Sequence, residues 1–243
     1  MNYKISGDNL QLVTMELGPD EKVFAEAGSM VYMSGNVNMD TKMRGGLTKA
    51  IGRKFAGETM FLTEFTSTGG AGLVSFGGNA PGTIKAIDLR GGREFIVQKD
   101  AFLCAEDLVE MSIAFQKRLG ATFFGGEGFI LERLVGDGTV FIHACGDFVE
   151  FDLQPDQRMK VDTGSVVGWD STVDYDIERV KGIKSMFFGG EGLFLTSLKG
   201  PGKVLIQSMT LHNLASALSP YMPSGQTSGS SGMGAMFRET LRR

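Results

Sequence analysis

The chain has 243 residues, with 24 Lys and Arg against 28 Asp and Glu and a net charge of −4. It is long enough for one large domain or two or three small ones, and it lacks the basic excess of a sequence-independent nucleic-acid binder. Glycine is the outlier at 35 residues, about twice the usual ~7%, which excludes a mainly helical protein and implies a chain that turns often.

The opening Met1-Asn2-Tyr3-Lys4-Ile5-Ser6-Gly7-Asp8 has no apolar signal region, and no window approaches the ~18 consecutive apolar residues of a membrane span. A cytoplasmic protein without a transmembrane segment is expected. Leu47, Ile51 and Phe55 sit four apart and predict a short helix over residues 46 to 55. The basic segment from Arg44 to Phe55 is a candidate for peripheral contact with an anionic membrane surface, the alternative being that its apolar stripe packs on the first β unit. Val109, Met111, Ile113 and Phe115 alternate with polar or small residues, as a half-buried strand requires. Phe129-Ile130-Leu131, Val140-Phe141-Ile142 and Val204-Leu205-Ile206 are short apolar runs suited to strands buried on both faces. Leu211, Leu214, Ala215 and Leu218 have helical spacing up to the stop at Ser219-Pro220. Beyond Pro223 the chain turns to Ser and Gly and predicts a flexible tail over 223 to 243.

Self-similarity is the most specific signal. Phe124-Gly125-Gly126-Glu127-Gly128-Phe129-Ile130-Leu131 matches Phe188-Gly189-Gly190-Glu191-Gly192-Leu193-Phe194-Leu195, and more weakly Phe55-Ala56-Gly57-Glu58-Thr59-Met60-Phe61-Leu62. Ala27-Gly28-Ser29-Met30-Val31 resembles Thr163-Gly164-Ser165-Val166-Val167, with Asp100-Ala101-Phe102-Leu103 as a degenerate middle copy. Gly72-Leu73-Val74, Gly138-Thr139-Val140 and Gly202-Lys203-Val204 follow in the same order. Such anchors predict an all-β chain of three tandem units around a pseudo-threefold axis, with few short helices. The expected divisions are 1–93, 94–155, 156–222 with the C-terminal helix, and the tail 223–243.

The Ala25-Glu26-Ala27-Gly28-Ser29-Met30-Val31-Tyr32-Met33 segment resembles the altered-inheritance-of-mitochondria family, together with the two Phe-Phe-Gly-Gly-Glu-Gly motifs, Val161-Asp162-Thr163-Gly164 and Val173-Asp174-Tyr175-Asp176. The family comprises largely uncharacterised bacterial and archaeal proteins with mitochondrial relatives. The resemblance covers residues 1 to about 210. It implies a triplicated fold in which each unit is a short double-stranded β-helix, similar to the subunit of tryptophan RNA-binding attenuation protein, and it brings no catalytic residues. Eukaryotic members are tied to mitochondrial inner-membrane organisation, a role that does not transfer to a chain without an Arg- and Ser-rich presequence.

Few residues suggest chemistry. His143 and His212 are the two histidines. Strand alternation turns His143 and Cys145 the same way, but two ligands fall short of the about four of a structural zinc site, so no metal and no cofactor is expected. Cys104 and Cys145 read as buried thiols, with a disulfide between them as the minor alternative. Ser29 and Ser165 lie outside any Gly-x-Ser-x-Gly motif and read as turn serines. The Gly-Gly-Glu-Gly loops run into strands, not helices, and do not fit a phosphate loop. Glu58, Glu127 and Glu191 remain as the candidate binding residues. Facing a common axis they would need a cation or the basic Arg44, Arg53 or Lys54; facing outward each would accept amide hydrogens of its own turn. The expectation is a non-enzymatic β scaffold acting through a protein partner or self-association, with no nucleic acid and with peripheral membrane contact as an option. The alternatives are a small-ligand or cation site at the inter-repeat loops and an unrecognised enzyme.

Overall fold

A computed structural model describes residues 1–43, 61–117, 128–179 and 194–222. Glu58, Glu127 and Glu191 lie outside the described residues, as do the helix expected over 46 to 55 and the segment 223 to 243. The chain divides into two compact units, Met1–His212 and Asn213–Arg243. The protein is all-β, and the described helix of more than one turn is α1 (Leu211–Leu218). Its bounds follow the apolar spacing and the Ser219-Pro220 stop, and none of its residues is buried.

After β1 (Asn2–Ser6), the strands fall into three sets of six. The first is β2 (Leu12–Leu17), β3 (Lys22–Glu26), β4 (Met30–Met33), β5 (Val37–Met43), β6 (Phe61–Ser67) and β7 (Gly72–Gly77). The second is β8 (Gly82–Asp88), β9 (Phe95–Gln98), β10 (Phe102–Glu106), β11 (Val109–Lys117), β12 (Phe129–Gly136) and β13 (Thr139–Cys145). The third is β14 (Phe148–Leu153), β15 (Arg158–Asp162), β16 (Val166–Asp170), β17 (Asp174–Arg179), β18 (Phe194–Lys199) and β19 (Gly202–Gln207). In every set the sixth strand pairs with the first and third, and the fifth pairs with the second and fourth, always antiparallel. Successive sets join by one further pairing, β3 with β10 and β9 with β16. Four sheets result, in the orders β1-β2-β7-β4, β5-β6-β3-β10-β13-β8, β11-β12-β9-β16-β19-β14 and β15-β18-β17.

The register corresponds residue by residue. Each third strand carries one bulge against its sixth, between Met30 and Tyr32, Phe102 and Cys104, and Val166 and Gly168. At the end of each third strand a side chain accepts from an amide at the start of the sixth strand: Ser34 Oγ from Leu73 N at 2.9 Å, Glu106 Oε2 from Thr139 N at 2.8 Å and Asp170 Oδ2 from Lys203 N at 3.0 Å. The two carboxylates also hold arginines, Arg90 on Glu106 at 2.8 Å and Arg93 on Asp170 at 2.7 Å, tying the loop before β9 to both inner sheets.

Three apolar cores lie along the chain, and the two six-stranded sheets contribute to two each. On β3, Val23 and Ala25 enter the first core and Phe24 the second; on β13, Phe141 enters the first and Val140, Ile142 and Ala144 the second. On β9, Phe95 and Val97 enter the second and Ile96 the third. This two-sided burial is why β13 reads as an unbroken apolar run, and all of its residues are buried. Full removal of one such Phe or Leu from water contributes ~1.5–3 kcal/mol. The outer sheets have one wet face, so β18 alternates buried and half-buried residues along its length. Val109 and Met111 are buried and Ile113 and Phe115 half-buried, with a bulge between the last two. Cys104 and Cys145 are both buried and free, which overturns the disulfide alternative.

Candidate functional site

The joint between β3 and β10 ends in a cleft of about 150 Å³ whose walls come from the first and second strand sets, among them Glu26, Ser29, Asn79, Asp100, Phe102 and His143. On one side the chain leaves β3 through a turn in which Gly28 has φ +88, a conformation that costs a residue with a side chain. Ser29 fixes that turn: its Oγ donates to the Glu26 carbonyl at 2.8 Å, and its own carbonyl accepts from Gly77 N at 2.9 Å. On the other side a single 3-10 turn, Lys99–Ala101, links β9 to β10, and Gln98 Nε2 donates to Asp100 Oδ2 at 3.0 Å.

His143 closes the floor. Burial holds its imidazole below the ordinary value, and its hydrogen bond to the Ala80 carbonyl opposes that shift. It therefore stays neutral at pH 7. The ring lies against backbone: a Cβ on Gly78 would stand 2.3 Å from it, so only glycine fits there.

Close to the same two turns lies Glu132 of β12, opposite Val97. It is 2% exposed, and its Oε2 has no hydrogen-bond partner. Burial pushes its carboxyl up from 4.5 to about 8; Lys99 opposes the shift, and Glu26 and Asp100 add to it. At neutral pH this is a protonated acid. The corresponding position is Thr63, opposite Ala25, in the first set and Thr196, opposite Val161, in the third. Thr196 donates to Thr163 Oγ1 at 3.2 Å. The second set alone thus has an ionisable group where the other two have a hydroxyl.

The cleft therefore brings together His143, which the sequence suggested, with Asp100 and Glu26, which it did not single out, and Glu132 feels the charge of the last two; Cys145, two residues beyond His143 at the end of the same strand, is buried. Glu132 carried one legible signal, a carboxylate inside the strand run Phe129-Ile130-Leu131-Glu132-Arg133-Leu134. Among the described residues no group of three His, Cys, Asp or Glu side chains is placed to hold a metal ion, and no helix is long and apolar enough to cross a membrane.

The mitochondrial biogenesis AIM24 family matches residues 3–209 of this chain. The chain belongs to this family. An uncharacterised protein of Streptococcus pyogenes serotype M6 is 33% identical over 220 residues, covering 87% of each chain. A crystal structure of a Streptococcus pyogenes protein superposes with a TM-score of 0.73 at 30% identity, covering 91% of this chain and 99% of that one. The AIM24 match spans all nineteen strands except for the first residue of β1, so the cleft, Glu132 and the open sheet edges all belong to the family region.

Proposed function

We propose that this AIM24 protein is a non-enzymatic β scaffold, built from three tandem units, whose work is to present an interaction surface. The observation that carries the reading is β4. Val31, Tyr32 and Met33 are 54%, 46% and 36% exposed on consecutive residues of an edge strand, whereas the corresponding residues of β10 and β16 are buried. Leu73, 41% exposed on the neighbouring β7, lies on the same face as Val31 and Tyr32, and Met33 lies on the opposite face beside Val74. Exposed apolar residues along a sheet edge are a docking feature, since its unpaired backbone groups and side chains both gain from a partner. The test is affinity capture from native lysate with the wild type and with Val31→Lys/Met33→Lys. Partners held by the wild type and lost by the variant support the reading, and an identical set from both refutes it.

A second reading, a small-ligand site, is favoured by the cleft, because its polar lining comes from two strand sets at once. A thermal-shift screen of small polar metabolites against wild type and Asp100→Ala tests it. A ligand that stabilises the wild type and leaves the variant unmoved supports this reading, and a screen without such a ligand counts against it.

A further inference from the structure

We propose that the free edge of β4 pairs antiparallel with β4 of a second copy of this chain, across a twofold axis, so that the four strands of β1-β2-β7-β4 from each copy form one continuous sheet. This rests on the interaction-scaffold reading and names its partner.

The chain itself shows that the edge is competent to pair. β10 and β16 occupy the place of β4 in the second and third sets, carry the same bulge against the same sixth strand, and use their far edges to bind β3 and β9. The β4 edge keeps that geometry, and among the described residues no strand lies on it. In the two occupied joints the incoming strand also seals a core. Phe24 stacks on Phe102 with ring centroids 5.8 Å apart, and Ile96 enters the third core beside Val166 and Trp169. Met30, which corresponds to Phe102, is half-buried at the rim of the first core, and Met33 beside it is exposed. That rim lacks the apolar residue that the other two joints receive.

Head-to-tail pairing would seat β15 here, the strand that holds the place of β3 and β9 in the third set and that is an edge among the described residues; twofold pairing would seat a second β4. β15 is the wrong one. At the position of Phe24 and Ile96, fixed by the pairing with the fifth strand, it carries Lys160. Lys160 is bound to Glu178 at 2.8 Å, between Arg158 and Asp162 at either end of the strand. Seating β15 on β4 would push an ammonium group against Met30 and Met33 and strip it of water and of its carboxylate. A lysine turned this way is a recognised protection of a sheet edge against further pairing. The sixth strand shows the same distinction from the other side. Phe141 and Leu205 reach into the core of the preceding set, whereas the corresponding residue of β7 is Ser75, covered by Thr14 and Tyr32, whose side chains bond to each other at 2.8 Å. Head-to-tail growth is thus disfavoured at both ends. β4 carries no charged residue, so self-pairing sets no like charges together and supplies Met33 of each copy to the other's rim, with Val31 and Tyr32 meeting on the opposite face. A twofold joint closes at two copies and leaves β15 exposed and protected. With four residues a side the interface is small, so the dimer is weak and concentration-dependent.

The experiment is size exclusion with light scattering on the full chain from micromolar to millimolar concentration, beside Val31→Lys/Met33→Lys checked for unchanged Trp169 fluorescence. The wild type is expected to pass from one chain mass to two and the variant to stay at one. Single cysteines placed in turn at Val31, Tyr32 and Met33 are then oxidised mildly; the native Cys104 and Cys145 are buried. At least one is expected to give a disulfide between identical positions of two chains. A wild type that stays monomeric at millimolar concentration overturns the proposal, as does a dimer in which none of the three cysteines crosslinks. Crosslinking of Tyr32→Cys to Val161→Cys in a mixture of the two also overturns it, in favour of head-to-tail pairing. Lysate partners that still depend on Val31 and Met33 in those cases leave the interaction reading standing, so the two failures are distinguishable.

Discussion

Glu132→Gln isolates the cost of keeping a carboxyl in the core. The group titrates near 4.5 in a solvated chain and at about 8 in the fold, with burial as the main cause. Between those values the unfolded chain has lost the proton and the folded chain still holds it. The folded value is raised, so the stability tied to this proton is fully present below pH 4.5, declines as pH rises, and levels off above about 8. At 1.36 kcal/mol per pH unit, that interval amounts to about 5 kcal/mol. Glutamine has nearly the same shape and no proton to lose. The assay is urea unfolding of wild type and Glu132→Gln, followed by Trp169 fluorescence from pH 4 to pH 9. The variant's advantage is expected to grow by ~1.4 kcal/mol per pH unit through the interval and then hold constant, whatever its offset at pH 4. Curves that run parallel from pH 4 to pH 9 would refute the reasoning, because they would mean that Glu132 ionises inside the fold as easily as outside it.

Other expectations follow from single contacts. His143 is held below 6.5 by burial, so its share of stability is present above pH 6.5 and lost as pH falls through the folded value; its ring protons, followed by NMR, should titrate below those of free histidine, and a midpoint at or above 6.5 contradicts the packing described. Gly78→Ala forces a Cβ to 2.3 Å from the His143 ring. It should cost ~1–3 kcal/mol, seen by calorimetry as a Tm lowered by ~2–4 °C for each kcal/mol, and an unchanged Tm argues against so close an approach. The chain's one tryptophan, Trp169, is fully buried and its Nε1 has no hydrogen-bond partner. Its emission should be blue-shifted and shielded from iodide, and Trp169→Ala should cost ~3–5 kcal/mol in denaturant unfolding, whereas a loss below 1 kcal/mol would place the ring outside a packed core.

The β class, the doubly buried runs and the end of α1 were legible in the sequence because each is a local property. Alternation and apolar runs report how many faces of a strand meet other protein, as in Val140-Phe141-Ile142, and Ser219-Pro220 stops a helix through its own backbone geometry. The candidate site was much less legible. The glycine-flanked Glu58, Glu127 and Glu191 drew attention as motifs, whereas Glu132 is set apart by desolvation and by Lys99, Glu26 and Asp100, all more than thirty residues away in the chain. No spacing rule carries that information.

What the sequence determined by itself is therefore a chain of short strands, with glycines at the turns and apolar side chains on one or both faces. Which strand pairs with which was decided only by the tertiary structure. β3 meets β10 and β9 meets β16 across some seventy to eighty residues, a choice made by complementary faces such as Phe24 on Phe102. The same choice leaves β4 open and apolar and β15 open and guarded by Lys160. A strand's propensity is written in its own residues, but its exposure is set by whichever neighbour arrives.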